Sequence, residues 1–180
     1  LPMDFSEVTV GVKGSGSGDL HMTLENRMTP QVMGNYEITS GTLKLGFISI
    51  LEKTFSLEPG SNLNFQGSLP DARFDLQAVY SQRVNLSTLT GSLSAIDNTQ
   101  KNIQVEDIIA INGTLNEPAI SFDIRLPNAD ASIEEEVFTY IDRNSERDML
   151  NQTVSLLLLG QFYNANGTMN DNNDILGNSL

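Results

Sequence analysis

Apolar residues occupy every second position in two long stretches of this chain that match each other. Residues 65–80 read FQGSLPDARFDLQAVY, and residues 111–126 read INGTLNEPAISFDIRL. When the two are aligned, Gly67 matches Gly113 and the later apolar positions coincide. A period of two places apolar side chains on one face of a strand and polar side chains on the other. The chain is therefore predicted to be mostly β.

The same alternation recurs along the chain, with turn-forming pairs such as Pro59-Gly60 and Glu117-Pro118 between the runs. A glycine followed by a small or polar residue and then leucine recurs at intervals of 22 to 26 residues. The glycines are Gly18, Gly41, Gly67, Gly91 and Gly113. Such a period is typical of a solenoid or of a meander of hairpins, with one unit per repeat.

The periodicity becomes helical after Pro127. Ser132 with Glu135 predicts a capping box, and Ser145 predicts the start of a second helix that Gly160 ends. The predicted organisation is a β body over 1–127, two short helices within 128–163 that continue the same domain, and a polar, disordered tail over 164–180.

Charge and composition exclude several classes of function. The net charge is −13, and the ten Lys and Arg residues are scattered, so no basic patch is available for nucleic acid. The longest apolar run is far shorter than the roughly 18 residues that a membrane-spanning helix needs. The chain has no cysteine and no recognisable signal peptide, and we expect it to be a piece of a longer protein.

Candidate catalytic and ligand-binding motifs are weak. The single histidine, His21, is predicted to be a surface residue. The GSGSG stretch at 14–18 lacks the Lys-Ser/Thr of a phosphate loop and is predicted to be a flexible turn. The Asp and Asn residues at 171–174 lack the spacing of a calcium loop. A carbohydrate-active β-helix is compatible with the repeat length, but no cluster of titrating groups marks any one of its repeats. Neither catalysis nor a metal or cofactor is therefore predicted.

A succession of motifs resembles one known family. The stretch GNYEITSGTLKL at 34–45 is followed by FSLEPGSNLNFQGSLPDARFDLQAVY at 55–80, and then by INGTLNEPAISF, EEEVFTYIDRN and VSLLLLGQFY. This order and spacing resemble the C-terminal region of the TamB family, the inner-membrane-anchored, periplasm-spanning component of the translocation and assembly module of diderm bacteria. Ala72 stands where the family usually has proline, which alters only the detail of a turn.

The resemblance implies a long β-sheet that curls into an open trough with an apolar lining, a β-taco. It implies a non-enzymatic, periplasmic segment of a bridge that conducts phospholipid acyl chains between the inner and outer membranes, as in the wider AsmA-like group. The alternative is a chaperone-like module that assists outer-membrane β-barrel assembly by strand augmentation. The implied partners are acyl chains or amphipathic strands and an outer-membrane β-barrel protein; no cofactor is implied.

Fourteen alternating residues are the predicted lining of the trough. They are Leu43, Leu45, Phe47, Leu63, Phe65, Phe74, Leu76, Ala78, Tyr80, Ile109, Ile111, Ile120, Phe122 and Ile124. Periodicity alone favours an interior that these side chains fill themselves, and only the resemblance favours an open trough. The apolar segment 154–159 is predicted to be buried, either capping the trough or docking onto a further segment. As a piece of a longer protein, the chain is expected to cover its exposed strand edges by self-association, which would be an artefact of truncation.

Overall fold

The structure, a computed structural model, describes residues 9–24, 30–47, 51–90, 102–114 and 116–164. Within these ranges seven strands form one antiparallel sheet, and three helices accompany it. The strands are β1 (Thr9–Thr23), β2 (Gln31–Phe47), β3 (Leu51–Leu57), β4 (Asn62–Gly67), β5 (Arg73–Asn85), β6 (Asn102–Thr114) and β7 (Pro118–Arg125). The helices are α1 (Ser87–Thr90), α2 (Ala131–Tyr140) and α3 (Glu146–Leu159).

The strands follow one another across the sheet in chain order. β3 and β4 act as one interrupted strand, because both pair with β2 on one side and with β5 on the other. A hydrogen bond of 2.7 Å from the amide of Ile38 to the carbonyl oxygen of Ser61 spans the interruption. The sheet is curled but does not close into a barrel, so the predicted mostly β, antiparallel fold with two short C-terminal helices is confirmed.

The two matching stretches of sequence are two equivalent strand connections. Residues 65–80 run from the end of β4 through a 3-10 turn into β5, and residues 111–126 run from the end of β6 into β7. Gly67 and Gly113 both adopt positive φ, +121° and +99°, which explains why glycine stands at the matched position. Gly18 and Gly41, in contrast, lie inside β1 and β2, so the short glycine pattern does not mark a turn there.

The prediction of a flexible turn at GSGSG is wrong. Residues 14–18 lie in β1 and pair with β2, with a register shift between Ser15 and Gly16. A Cβ atom at Gly18 would lie 2.0 Å from the carbonyl oxygen of Asn35, so a residue with a side chain could not approach β2 as closely. Glycine serves close strand approach here, not a loop.

The sequence signals predicted the start of α3 correctly and the start of α2 incorrectly. The predicted capping box is wrong, because α2 begins after Asp130 and the amide of Ile133 donates to the Asp130 carbonyl oxygen at 2.9 Å. The predicted start of α3 is confirmed, because Ser145 Oγ accepts a hydrogen bond from the amide of Asp148. Its predicted end is also confirmed, with Gly160 at φ +67°.

The apolar segment 154–159 is only partly buried. Leu156 and Leu157 are buried, whereas Leu158 and Leu159 are exposed, so the prediction of burial is wrong for the last two residues. A helix contacts the sheet through one stripe, and these two leucines lie outside that stripe. The predicted disordered tail lies, apart from Asn164, outside the described residues.

Buried apolar side chains form two clusters on the sheet. The first, the helix-covered core, joins α2, α3 and Phe162 to the ends of β5, β6 and β7. The second, the trough cluster, contains side chains from β2 to β7 together with Leu157 of α3. Because Leu156 belongs to the first cluster and Leu157 to the second, α3 lies where the two meet. The helices thus cover one part of the inner face and leave another part open.

Candidate functional site

An open cavity of about 550 Å³, here called the groove, lies on the inner face of the sheet. Every strand except β3 contributes to its wall. The lining residues are Val12, Gly14, Tyr36, Ile38, Leu63, Phe74, Leu76, Ile111, Pro118 and Ile120. Within this lining only Tyr36 has a polar side-chain atom, so the groove offers an almost entirely apolar surface.

The groove follows from the pairing register of the strands. Tyr36 stands opposite Leu63, Leu63 opposite Phe74, Phe74 opposite Gly113, and Gly113 opposite Pro118. Residues directly opposite each other in antiparallel strands share a face, so this row crosses the sheet from β2 to β7 on one side. The sheet has six strand positions, because β3 and β4 share one. At about 4.8 Å between neighbouring strands, the distance from β1 to β7 measured along the sheet is roughly 24 Å.

A second row of directly opposed residues extends the groove wall across β5, β6 and β7. Leu76 stands opposite Ile111, and Ile111 opposite Ile120. Leu76 and Ile111 are buried, whereas Ile120 at the outer strand is 48% exposed. At the opposite end of the groove Val12 of β1 is 46% exposed. The groove is therefore most open to solvent at its two outer strands.

The fourteen predicted lining residues are divided among several places. Five line the groove: Leu63, Phe74, Leu76, Ile111 and Ile120. Six belong to the trough cluster without lining the groove: Leu43, Leu45, Ala78, Tyr80, Ile109 and Phe122. Ile124 lies in the helix-covered core, Phe65 is half-buried opposite Gly34, and the side chain of Phe47 lies outside the described part of the chain. The inner face is thus partly filled by the protein itself and partly open.

Sequence reasoning missed half of the groove lining. The five missed residues are Val12, Gly14, Tyr36, Ile38 and Pro118. The alternation that places Val12, Tyr36 and Ile38 in strands was visible in the sequence. The sequence did not show on which face of the sheet they lie relative to the later strands, because the register of β1 against β2 shifts by one residue near Gly16.

A buried carboxyl group, Asp107, lies on the inner face beyond the groove. Asp107 stands opposite Tyr80 on one side and Ile124 on the other, and it has no exposed surface. Gln82 Nε2 donates a hydrogen bond of 3.0 Å to Oδ2, whereas Oδ1 has no hydrogen-bond partner among the described residues. Burial raises the pKa of Asp107 to about 7, and the Gln82 hydrogen bond and the charge of Lys53 offset part of this effect.

Sequence reasoning also missed Asp107, although a signal was present. In β6 the residues 103, 105, 109 and 111 are Ile, Val, Ile and Ile, and Asp107 occupies the same phase. A charged residue in the apolar phase of a strand is predicted to face the core. Lys53 lies nearby on β3, with its Nζ 3.2 Å from the Tyr80 hydroxyl and 4.9 Å from the ring centroid.

No constellation suited to metal binding occurs in the part of the chain that the structure describes. His21 is exposed on β1, which confirms the prediction of a surface residue. Within the same described residues, no helix is long and apolar enough to span a bilayer. The inner face therefore presents an apolar groove and one small polar group of side chains around Asp107.

The fold and the groove define an open, curled β-sheet protein with an apolar inner face. A model of the TamB C-terminal domain matches residues 6–180, and the chain belongs to the TamB family. This family is an inner-membrane-anchored, periplasmic component of the translocation and assembly module, and membership implies a role in that module and association with its outer-membrane partner. Searches of curated proteins and of solved structures give no significant match.

Proposed function

We propose that the groove binds the acyl chains of phospholipids. In this proposal the chain is a non-enzymatic segment of a periplasmic bridge along which acyl chains pass between the inner and outer membranes. The observation that carries the proposal is the groove itself, about 550 Å³ in volume and lined by side chains of which only Tyr36 is polar. Covering apolar surface contributes roughly 25 cal/mol per Å², so an apolar occupant is favoured over water.

The chemistry of the lining also limits what the groove can recognise. No charged side chain lines it, and its one hydroxyl belongs to Tyr36. Recognition of a phospholipid headgroup requires charged or hydrogen-bonding partners, which this wall does not offer. We therefore infer that the groove selects for an extended apolar chain and that it accepts different headgroups.

Replacing Ile120 with aspartate should abolish binding of phospholipid. Ile120 is half-exposed at the end of the groove, so the variant should fold, while the carboxylate would have to lose its water when an acyl chain entered. Met33→Asp is the matched control, because Met33 is similarly exposed and stands opposite His21 on the outer face. Native mass spectrometry of the purified proteins should show bound phospholipid for the wild type and for Met33→Asp.

Two results would contradict the proposal. One is a wild-type protein that carries no phospholipid after incubation with phospholipid vesicles. The other is an equal loss of bound lipid in Ile120→Asp and Met33→Asp, since that would place the binding surface outside the groove.

A second candidate function is supported by the outer edge of β1. This strand is 15 residues long, and no other described strand pairs with its outer side. Such an edge can accept an amphipathic strand of a barrel protein by β-augmentation. Backbone pairing does not need the groove wall, so binding of amphipathic strand peptides that persists in Ile120→Asp would favour this function over lipid conduction.

A further inference from the structure

A buried carboxyl group with incomplete hydrogen bonding lies beyond the groove on the inner face. Asp107 has no exposed surface, and its Oδ2 accepts a hydrogen bond from Gln82 Nε2, whereas its Oδ1 has no partner among the described residues. Burying a carboxylate without partners is far more costly than burying the neutral carboxyl. The protonation state of Asp107 therefore decides how well the surrounding elements can pack on it.

Asp107 lies at the boundary between the two buried clusters. Along β6, Val105 belongs to the helix-covered core and Ile109 to the trough cluster, and Asp107 stands between them in the same phase. Helix α3 spans the same boundary, because Leu156 belongs to the first cluster and Leu157 to the second. The carboxyl group and α3 are therefore placed at the same part of the inner face.

Helix α3 carries a second incompletely bonded polar group on its buried side. Thr153 is 1% exposed, and its Oγ1 has no hydrogen-bond partner within the described part of the chain. Thr153 precedes Leu156 by three residues and Leu157 by four, so the three side chains share the helix face that packs on the sheet. Buried polar groups without partners weaken the packing of an otherwise apolar contact.

The surroundings of Asp107 offer little charge to balance a carboxylate. Its directly opposed neighbours are Tyr80 of β5 and Ile124 of β7. The positive charge of Lys53 of β3 acts on Asp107, but Lys53 Nζ lies against the Tyr80 hydroxyl and forms no ion pair within the described ranges. Helix α3 has no titratable side chain after Asp148, which lies in its first turn.

We propose that Asp107 is a proton-dependent switch for the docking of α3 on the inner face. With a neutral Asp107 carboxyl the helix stays packed on the sheet. When the carboxyl ionises, the docked state has to bury a negative charge, whereas the undocked state lets water reach it. The equilibrium then moves towards an open state in which α3 has left the sheet while the strands stay paired.

The direction of the pH dependence follows from burial, which raises the pKa of Asp107 to about 7 in the docked state. In the undocked state the carboxyl meets water and has its ordinary pKa of 3.8. Docking is therefore strongest below pH 3.8 and weakens as the pH rises to about 7. Over that range its equilibrium constant falls about tenfold per pH unit, and above about pH 7 it stays constant.

Release of α3 would enlarge the apolar surface beside the groove. Leu157 belongs to the same cluster as Leu76 and Ile111, which line the groove. When Leu157 leaves with the helix, apolar side chains of the trough cluster become accessible next to the groove. This consequence rests on the proposed function, whereas the switch itself does not.

Native-state hydrogen exchange tests the switch, because it measures the opening of individual backbone amides. In the wild type, the protection factors of the α3 amides should fall by about a hundredfold between pH 5 and pH 8. In Asp107→Asn they should change little. Low concentrations of urea separate local from global opening, because release of α3 exposes less surface than unfolding and depends less on urea.

Two further variants complete the test. Asp75→Asn is the matched control, because Asp75 is exposed on β5, and this variant should keep the pH dependence of the wild type. Lys53→Met keeps the Asp107 carboxyl but removes the charge that favours its ionised form. Its loss of α3 protection relative to the wild type should therefore be larger at pH 8 than at pH 4.

Three results would overturn the proposal. The first is α3 protection in the wild type that does not change with pH, and the second is a fall with pH that Asp107→Asn shares. The third is an opening of α3 with the same free energy and urea dependence as the opening of β6 at every pH, since the helix would then leave only on global unfolding. No lipid is present in these measurements, so the proposed function stands or fails separately.

Discussion

Asp107→Asn should be more stable than the wild type at pH 8 and nearly equal to it at pH 4. Asp107 is fully buried, and burial raises its pKa from 3.8 to about 7. In the unfolded chain the same carboxyl keeps its ordinary pKa. Between that value and about pH 7 the folded protein keeps a proton that the unfolded chain has lost, and above about pH 7 it holds a buried negative charge. Both lower the free energy of unfolding of the wild type. A difference of about three pH units corresponds to a gain on the order of 4 kcal/mol for the variant at pH 8.

The sign of the pH dependence follows from the raised pKa. Below pH 3.8 the carboxyl is protonated in both states and costs the folded state no ionisation energy. As the pH rises from 3.8 to about 7, the unfolded state ionises first, and the stability of the wild type falls relative to the variant. Above about pH 7 both states are ionised, and the difference stays constant. The amide oxygen of asparagine can still accept the hydrogen bond from Gln82.

Urea denaturation of both proteins between pH 4 and pH 8.5 measures this difference directly. Asp75→Asn provides the control, because Asp75 is exposed in the neighbouring strand β5. A stability difference between Asp107→Asn and the wild type that does not change with pH would contradict the assignment of a buried, raised-pKa carboxyl. So would a wild type that is the more stable protein at pH 8.

Gly113→Ala should destabilise the protein far more than Gly60→Ala. Both glycines have positive φ, +99° and +92°, and either substitution costs about 1–3 kcal/mol in backbone strain. At Gly113 the new Cβ would also lie 2.4 Å from the carbonyl oxygen of Glu117, whereas at Gly60 nothing lies within 4 Å. Displacing the backbone between β6 and β7 should add roughly 1–3 kcal/mol.

Thermal or urea unfolding of the two variants separates the cost of backbone strain from the cost of the close contact. The strain is similar in both variants, whereas only Gly113→Ala has the close contact. Similar losses of stability in Gly60→Ala and Gly113→Ala would show that the connection between β6 and β7 relaxes freely. The positive φ of Gly113 would then remain as the structural reason for glycine at this position.

Local periodicity was sufficient to predict most of the fold. The period of two placed the strands, and Ser145 and Gly160 placed both ends of α3. These signals act over a few residues, so a single sequence contains them. The prediction failed at 14–18, where glycines usually indicate a turn but here allow close contact between β1 and β2.

The lining of the groove was harder to predict because it depends on pairing between distant segments. Leu43 and Leu76 have the same alternating pattern and both belong to the trough cluster, yet only Leu76 lines the groove. The same cluster contains Leu157, through which α3 packs on the inner face. Neither the register of β1 against β2 nor the docking position of α3 follows from periodicity.

The most direct test of an acyl-chain groove uses a tryptophan as a local probe, because the chain contains none. Ile120→Trp places the indole at the groove, and Met33→Trp places it on the outer face at a similarly exposed position. Phospholipids brominated on the acyl chain quench indole fluorescence on contact. The proposed function predicts strong quenching of Ile120→Trp and little quenching of Met33→Trp, and equal quenching of the two variants, or none in either, would contradict it.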